Sequence, residues 1–240
     1  TSVPSLRVNQ LQSSAQTNFT IRGYGNGANN PGIEPAVAVY IDGVPRSRSA
    51  SALADLPSVE RIEVLSGPQS TLFGKNASAG VISVSTLMPN DSFGGMIEAT
   101  GGNYGAGIVK GTVTGPLSDT LSYRLSASDN SSDGYGTNIT TGTGVNERNR
   151  SAVRGQLLFE PSDDLAIRVI ADYNEIDEIC CAASGLVYGG ATQVAAGIAL
   201  QQGNATAPID PWARNSNMNI TPSNKLEGKG ISIQIDKDLD

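Results

Sequence analysis

Apolar and polar positions follow two different rhythms along this chain, and the change falls near Pro89. Before it, short apolar runs are separated by turn residues. Phe19-Thr20-Ile21-Arg22 has strand character and stops at Gly23, and a Gly- and Asn-rich loop runs from Tyr24 to Pro35. Ala36-Val37-Ala38-Val39-Tyr40-Ile41 is almost continuously apolar, the pattern of a strand covered on both faces. It ends in Asp42-Gly43, a tight-turn signal. Ser49 to Leu56 predicts a short helix, broken by Pro57 and Ser58. Val59 to Leu65 predicts a strand with Arg61 and Glu63 on one face and Glu60, Ile62 and Val64 on the other. Gly67-Pro68 opens a short helix through Phe73, and Gly80 to Thr86 predicts the last strand before Pro89. This mix predicts a small α+β domain with a mixed sheet over residues 1–90.

Beyond Gly94 the period becomes two. Met96, Glu98 and Thr100 alternate with Ile97 and Ala99, and Leu121, Tyr123, Leu125 and Ala127 alternate with Ser122, Arg124, Ser126 and Ser128. Leu165 to Tyr173 and Ile231 to Asp236 repeat the pattern, giving about six candidate strands in all, each with one apolar and one polar face. Short turns at Pro116–Thr120 and Glu160–Asp164 alternate with long polar stretches near 130–150 and 175–225. Short turns at one end and long loops at the other are the habit of an outer-membrane barrel. A soluble antiparallel sandwich also alternates. Against it stands a polar insertion of about 50 residues, unusual in a compact domain. Residues 91–240 are therefore read as the N-terminal portion of an antiparallel transmembrane β-barrel.

Composition narrows the chemistry. The 240 residues carry 16 basic and 23 acidic side chains, a net charge of −7, and no basic cluster, which argues against nucleic-acid binding. Histidine is absent, which removes the commonest general base and metal ligand, so neither catalysis nor a resident metal or cofactor is expected. The scattered aspartates lack EF-hand spacing, and Gly23, Gly25 and Gly27 lack the spacing of a nucleotide loop. Cys180 and Cys181 are adjacent, which leaves open a vicinal disulfide or two free thiols and fits no CxxC site. No apolar run reaches the length of a membrane helix, which does not bear on barrel strands. No signal peptide is visible at Thr1.

Four ordered blocks carry a family resemblance. Phe19-Thr20-Ile21-Arg22-Gly23 resembles the "IRG" strand of TonB-dependent receptor plugs, and Val39-Tyr40-Ile41-Asp42-Gly43-Val44-Pro45 resembles their "vyiDGvp" element. The run from Val59 through Ser66-Gly67-Pro68 to Gly74 resembles the family's "vERIEVLrGPqstLyG" block almost position by position. Asn76, Ala77, Gly80, Val81 and Ile82 continue it. Ser66 and Lys75 stand where the family usually has Arg. Thr1 to Leu6 resembles the middle of the plug, which implies that the TonB box and first plug strand lie upstream. The family closes its plugged barrel with ~22 strands, and an open membrane sheet would leave backbone groups unpaired in lipid. An incomplete barrel is therefore expected here.

The resemblance implies energised uptake of a scarce nutrient across the bacterial outer membrane, in contact with its lipid and driven by the TonB–ExbB–ExbD complex through a segment absent from this sequence. A ferric siderophore is the default solute, with cobalamin or carbohydrate as alternatives and a non-transporting barrel receptor or adhesin as another. Arg22, Glu60, Arg61 and Glu63 are expected to pair with charges of the barrel wall, against the plainer reading of a solvated strand face. Tyr24, Asn26, Asn29 and Asn30 would offer hydrogen bonds to a solute, and Arg46 and Arg48 would meet an anionic one, against the plainer reading of ordinary turn residues.

Overall fold

The computed structural model describes residues 3–10, 17–26, 33–47, 58–182, 189–201, 210–218 and 220–239. Strands β1 (Leu6–Gln10), β2 (Thr17–Ile21) and β3 (Tyr24–Gly25) form a three-stranded antiparallel sheet. Strands β4 (Val37–Ile41), β5 (Val44–Arg46), β6 (Val59–Ser66) and β7 (Gly80–Thr86) form a second sheet in the order β5-β4-β7-β6. It is mixed as expected, with β4 and β7 parallel and the other pairs antiparallel. Helix α1 is the single turn Ser70–Phe73. The expected helix at Ser49–Leu56 lies outside the described residues, apart from which the predicted strands all appear.

The near-continuous apolar run of β4 reflects burial on both faces. Val37, Val39 and Ile41 pack with Phe19, Ile21, Ile82 and Val84, while Ala38 packs on the other side with Ala77 and Val81, flanked by Tyr40, Leu65 and Phe73. Each fully buried Val or Ile contributes about 1.5–3 kcal/mol, so this short strand anchors the small domain. Gly80 lets the layers close up, since a Cβ there would lie 2.5 Å from both Ile21 Cδ1 and Leu65 O. Asp42 and Gly43 turn the β4–β5 hairpin with φ of 47° and 76°, the left-handed pair that this two-residue turn requires.

The second half is one six-stranded antiparallel sheet. Strands β8 (Gly94–Gly101), β9 (Gly107–Ser118), β10 (Leu121–Ser132), β13 (Arg148–Ser162), β14 (Leu165–Ile179) and β16 (Ser223–Lys237) lie side by side in chain order. The polar stretch between β10 and β13 holds β11 (Gly136–Asn138) and β12 (Thr143–Val145). The stretch after β14 holds helix α2 (Gly190–Gln201) and β15 (Asn215–Ser216), which pairs parallel with β11. Asn138, fully buried, ties the two loops together. Its Nδ2 donates to Met218 O at 2.8 Å and its Oδ1 accepts from Met218 N at 3.2 Å. Cys180 and Cys181 are bonded to each other where β14 ends, and Asn146 bridges both backbone groups of Ala182 beside them.

At the opposite end the turns are short. In one of them the Asp164 carboxylate accepts from Lys237 Nζ and from Ser162 Oγ at 2.5 Å. These donors, Lys237 first, hold its carboxyl below the usual carboxylate range. A depressed folded value means that the tie is fully present above the unfolded value near pH ~4 and is lost as pH falls through the lower folded one. Lys237→Gln should therefore raise the Asp164 titration midpoint, read by NMR of its carboxyl carbon. An unmoved midpoint would remove Lys237 as the cause.

Candidate functional site

The six-stranded sheet inverts the usual rule of burial. Ser122, Arg124, Ser126, Ser128 and Asn130 on β10, Arg154 and Gln156 on β13, and Arg168, Asn174 and Glu178 on β14 are buried. On the other face Leu125, Leu157 and Phe159 are exposed, as are Ile231, Ile233 and Ile235 at 63–78%. A soluble sandwich would bury the apolar face. An apolar outside and a polar inside belong to a membrane barrel.

The mixed sheet of the first half seats its β4–β5 hairpin on that polar face. The center of the seat is Asp42, whose side chain is 1% exposed. Its carboxylate accepts from Thr86 N and Thr86 Oγ1, both at 2.8 Å, and from Arg154 Nη2. Arg168 Nη2 lies 3.5 Å away. Arg154 Nη1 also reaches Asp172 Oδ1 at 3.2 Å, and Arg46 of the hairpin meets Asp172 at 3.1 and 3.4 Å. Gln156 completes the set: its Nε2 donates to Thr86 Oγ1 at 3.2 Å, and its Oε1 accepts from Arg168 at 2.6 and 3.1 Å. The segment after β7 follows the same wall. Leu87 O accepts from Gln156, Met88 O accepts from Arg124 at 2.9 Å, and Asn90 N donates to Thr114 Oγ1 at 3.0 Å.

A buried charge needs an opposite charge or several hydrogen bonds. Here three guanidinium groups, Arg46, Arg154 and Arg168, face two carboxylates, Asp42 and Asp172. Glu60 is close enough to act on Arg168 through its charge. The donors still exceed the acceptors, for Arg46 Nε, Arg154 Nε and Asn174 Nδ2 are buried without a partner.

The residues singled out from sequence fall in several places. Arg22 is exposed at a left-handed turn, and its backbone N–H donates to Ser5 O at 2.9 Å. Glu60 sits at an irregularity in the β6–β7 register. Arg61 and Glu63 lie 3.4 Å apart in one strand and are about half exposed, a pairing worth little. Among the described residues the ties from the small domain to the wall include those of Asp42, Thr86, Arg46 and Ser58, whose Oγ lies 3.4 Å from Ser126 Oγ. Tyr24 is 74% exposed, and Asn26 O accepts from the Asn18 amide. Asn29, Asn30 and Arg48 lie outside the described residues. Arg46, expected to meet a solute, pairs with Asp172. Sequence reading passed over Asp42 because an Asp-Gly pair reads as a turn. Arg154, Arg168 and Asp172 were visible as charges in the polar phase of their strands, but nothing in the phase says which would meet the plug.

Comparison with known proteins agrees with this architecture. The family model for the TonB-dependent Receptor Plug Domain matches residues 1–81. The pesticin receptor of Yersinia pestis is 38% identical over 89 residues, covering 37% of this chain and 13% of the receptor. The ferric enterobactin receptor PirA of Pseudomonas aeruginosa is 32% identical over 163 residues, covering 61% of this chain and 21% of its own length. The crystal structure of the ferric yersiniabactin uptake receptor FyuA from Yersinia pestis matches with a TM-score of 0.70 at 26% identity, over 76% of this chain and 29% of FyuA. P. aeruginosa FpvA bound to heterologous pyoverdines gives a TM-score of 0.71 over 98% of this chain and 28% of FpvA; at 19% identity it speaks for the fold alone. The chain thus spans less than a third of each of these proteins. Residues 1–81 carry the plug domain of TonB-dependent receptors, and with that plug sheet seated on the polar face of antiparallel barrel strands the chain has the architecture of a TonB-dependent outer-membrane receptor.

Proposed function

We propose that the chain serves energised uptake of a ferric siderophore across the bacterial outer membrane, with a plug over residues 1–90 and barrel wall from residue 91. The observation that carries this is the character of the seat. The hairpin is tied to the wall by ion pairs and hydrogen bonds. Such ties can exchange for water when the plug shifts, whereas a large apolar interface would resist each cycle. The pesticin receptor, the enterobactin receptor PirA and FyuA, together with a ferrioxamine B receptor of Salmonella typhimurium at 28% identity, support a ferric siderophore over cobalamin or carbohydrate. TonB, ExbB and ExbD would supply the pull, and no step requires catalysis. Tyr24 and Asn26 are our proposed solute contacts on the plug.

The test is uptake of radiolabelled iron by iron-starved cells offered single siderophores, with and without the gene and with and without the proton gradient. Uptake of at least one ferric siderophore should need both. If deletion instead abolishes cobalamin or oligosaccharide uptake and leaves every iron complex untouched, the solute assignment fails.

A further inference from the structure

Four observations at the hairpin seat point the same way. Arg46 is the rim member of the network, with a side chain 17% exposed against 3% for Arg154 and 8% for Arg168. Its partner Asp172 is compensated twice, by Arg46 and by Arg154. Arg154 in turn holds Asp42, so Asp172 would remain in a closed set of pairs without Arg46. The seat is short of acceptors, since the Arg46 Nε–H, the Arg154 Nε–H and the Asn174 amide lack one. Asn174 is two residues from Asp172 on β14, on the same face of the sheet, and is itself 8% exposed. Opposite these two residues β16 carries Gly228 and Gly230. A Cβ on Gly230 would come within 3.1 Å of both Asp172 carboxylate oxygens, so β16 keeps that space for the carboxylate.

We propose that Arg46 is an exchangeable partner: an anionic group, a carboxylate or phosphate, binds its guanidinium in competition with Asp172 and so releases the β4–β5 hairpin from the wall. The exchange conserves charge pairing. Before it, Asp172 is shared by two guanidinium groups. After it, Arg46 pairs with the incoming anion and Arg154 keeps both Asp42 and Asp172. The new anion also brings oxygen lone pairs to donors that now have none. Lysine would serve poorly at this position, because the planar guanidinium presents one edge to Asp172 while offering its Nε–H to a second anion. The anion's arrival is thereby coupled to the one tie between hairpin and wall that lies nearest the solvent. The inference rests on the uptake reading only for what carries the anionic group. Phosphate binding and hairpin release are measurable whatever solute is transported, so the two can fail separately.

The experiment uses the receptor as its natural gene encodes it, purified in detergent and titrated with inorganic phosphate against chloride at matched ionic strength. Binding is followed by calorimetry and hairpin release by hydrogen exchange at the Val44 and Arg46 amides. Phosphate should speed exchange at both amides, and chloride should not. Asp172→Asn removes the competitor and should tighten phosphate binding about fivefold, the scale of one partly exposed ion pair. Arg46→Gln should abolish both binding and the exchange response. A purely structural pair predicts the opposite sign, with Asp172→Asn leaving phosphate affinity unchanged or weaker. If Asp172→Asn does not assemble, the wild-type titration decides alone: phosphate that fails to bind, or that slows exchange at Val44 and Arg46, overturns the proposal, as does full binding by Arg46→Gln.

Discussion

Asp42→Ala is expected to loosen the plug from the barrel wall by about 3–5 kcal/mol, the scale for removing one partner of a buried ion pair. Three losses combine. Arg154 and Arg168 keep their charges inside the seat with one carboxylate fewer. Thr86 loses the acceptor of both its backbone N–H and its hydroxyl, and a buried donor without a partner costs about 1–3 kcal/mol. Alanine must also take the left-handed φ of 47°, where L residues other than Asn and Asp are disfavoured by roughly 1–2 kcal/mol. Asp42→Asn keeps the turn preference and one acceptor oxygen, so it should cost less than Asp42→Ala. Hydrogen exchange at the Thr86 amide is the measurement. It should accelerate by about 10²–10⁴ in the alanine variant, as the energy scale requires, with a smaller rise for asparagine. A change below tenfold in Asp42→Ala would show that the seat is held elsewhere.

That the critical carboxylate is Asp42 was not evident from the chain alone, and the reason is physical. Strand phase is a local property. The alternation of Leu121 to Ala127 with Ser122 to Ser128 fixes which side chains share a face, and the sheet keeps that phase. The block from Val59 to Gly74 likewise forms the strand and the short helical turn that its pattern implies. Docking is not local. Asp42 meets Arg154 across 112 residues, and Arg46 meets Asp172 across 126, contacts set by how two sheets sit against each other. The same limit hid the pairing of β11 with β15, which joins residues 137–138 to 215–216. Helix α2 escaped for another reason. Val194, Ile198 and Leu200 remain exposed, so no buried stripe marks the sequence as helical. Arg61 and Glu63 were expected from the family resemblance to meet charges of the barrel wall; among the described residues they lie 3.4 Å apart at 65% and 47% exposure.

Leu157→Arg is the second large effect, because it tests the other face of the same wall. The register places Leu157 in an outward row with Tyr123, Val169 and Ile233. The next row toward the long loops is Leu125, Gly155, Ala171 and Ile231, and the one beyond it is Ala127, Val153, Tyr173 and Lys229. There Lys229 Nζ sits 5.6 Å from the center of the Tyr173 ring, an aromatic and a cation placed as at a lipid–water boundary. One row further, Asp129, Ser151, Glu175 and Glu227 are polar. In the other direction Leu121, Phe159, Ile167 and Ile235 make the last apolar row before the turn that holds Asp164. Four apolar rows at ~6.8 Å per two residues span about 20 Å of strand, with Leu157 near the middle. A cation there should cost about 2–4 kcal/mol, while Ser151→Arg, beyond the boundary, should cost about 0–1 kcal/mol. The folded fraction in outer membranes, read from the heat-shifted band, should fall for Leu157→Arg and stay for Ser151→Arg. Equal behaviour of the two would mean that this face meets water or protein, and the inside-out burial of the sheet would then need an explanation other than lipid.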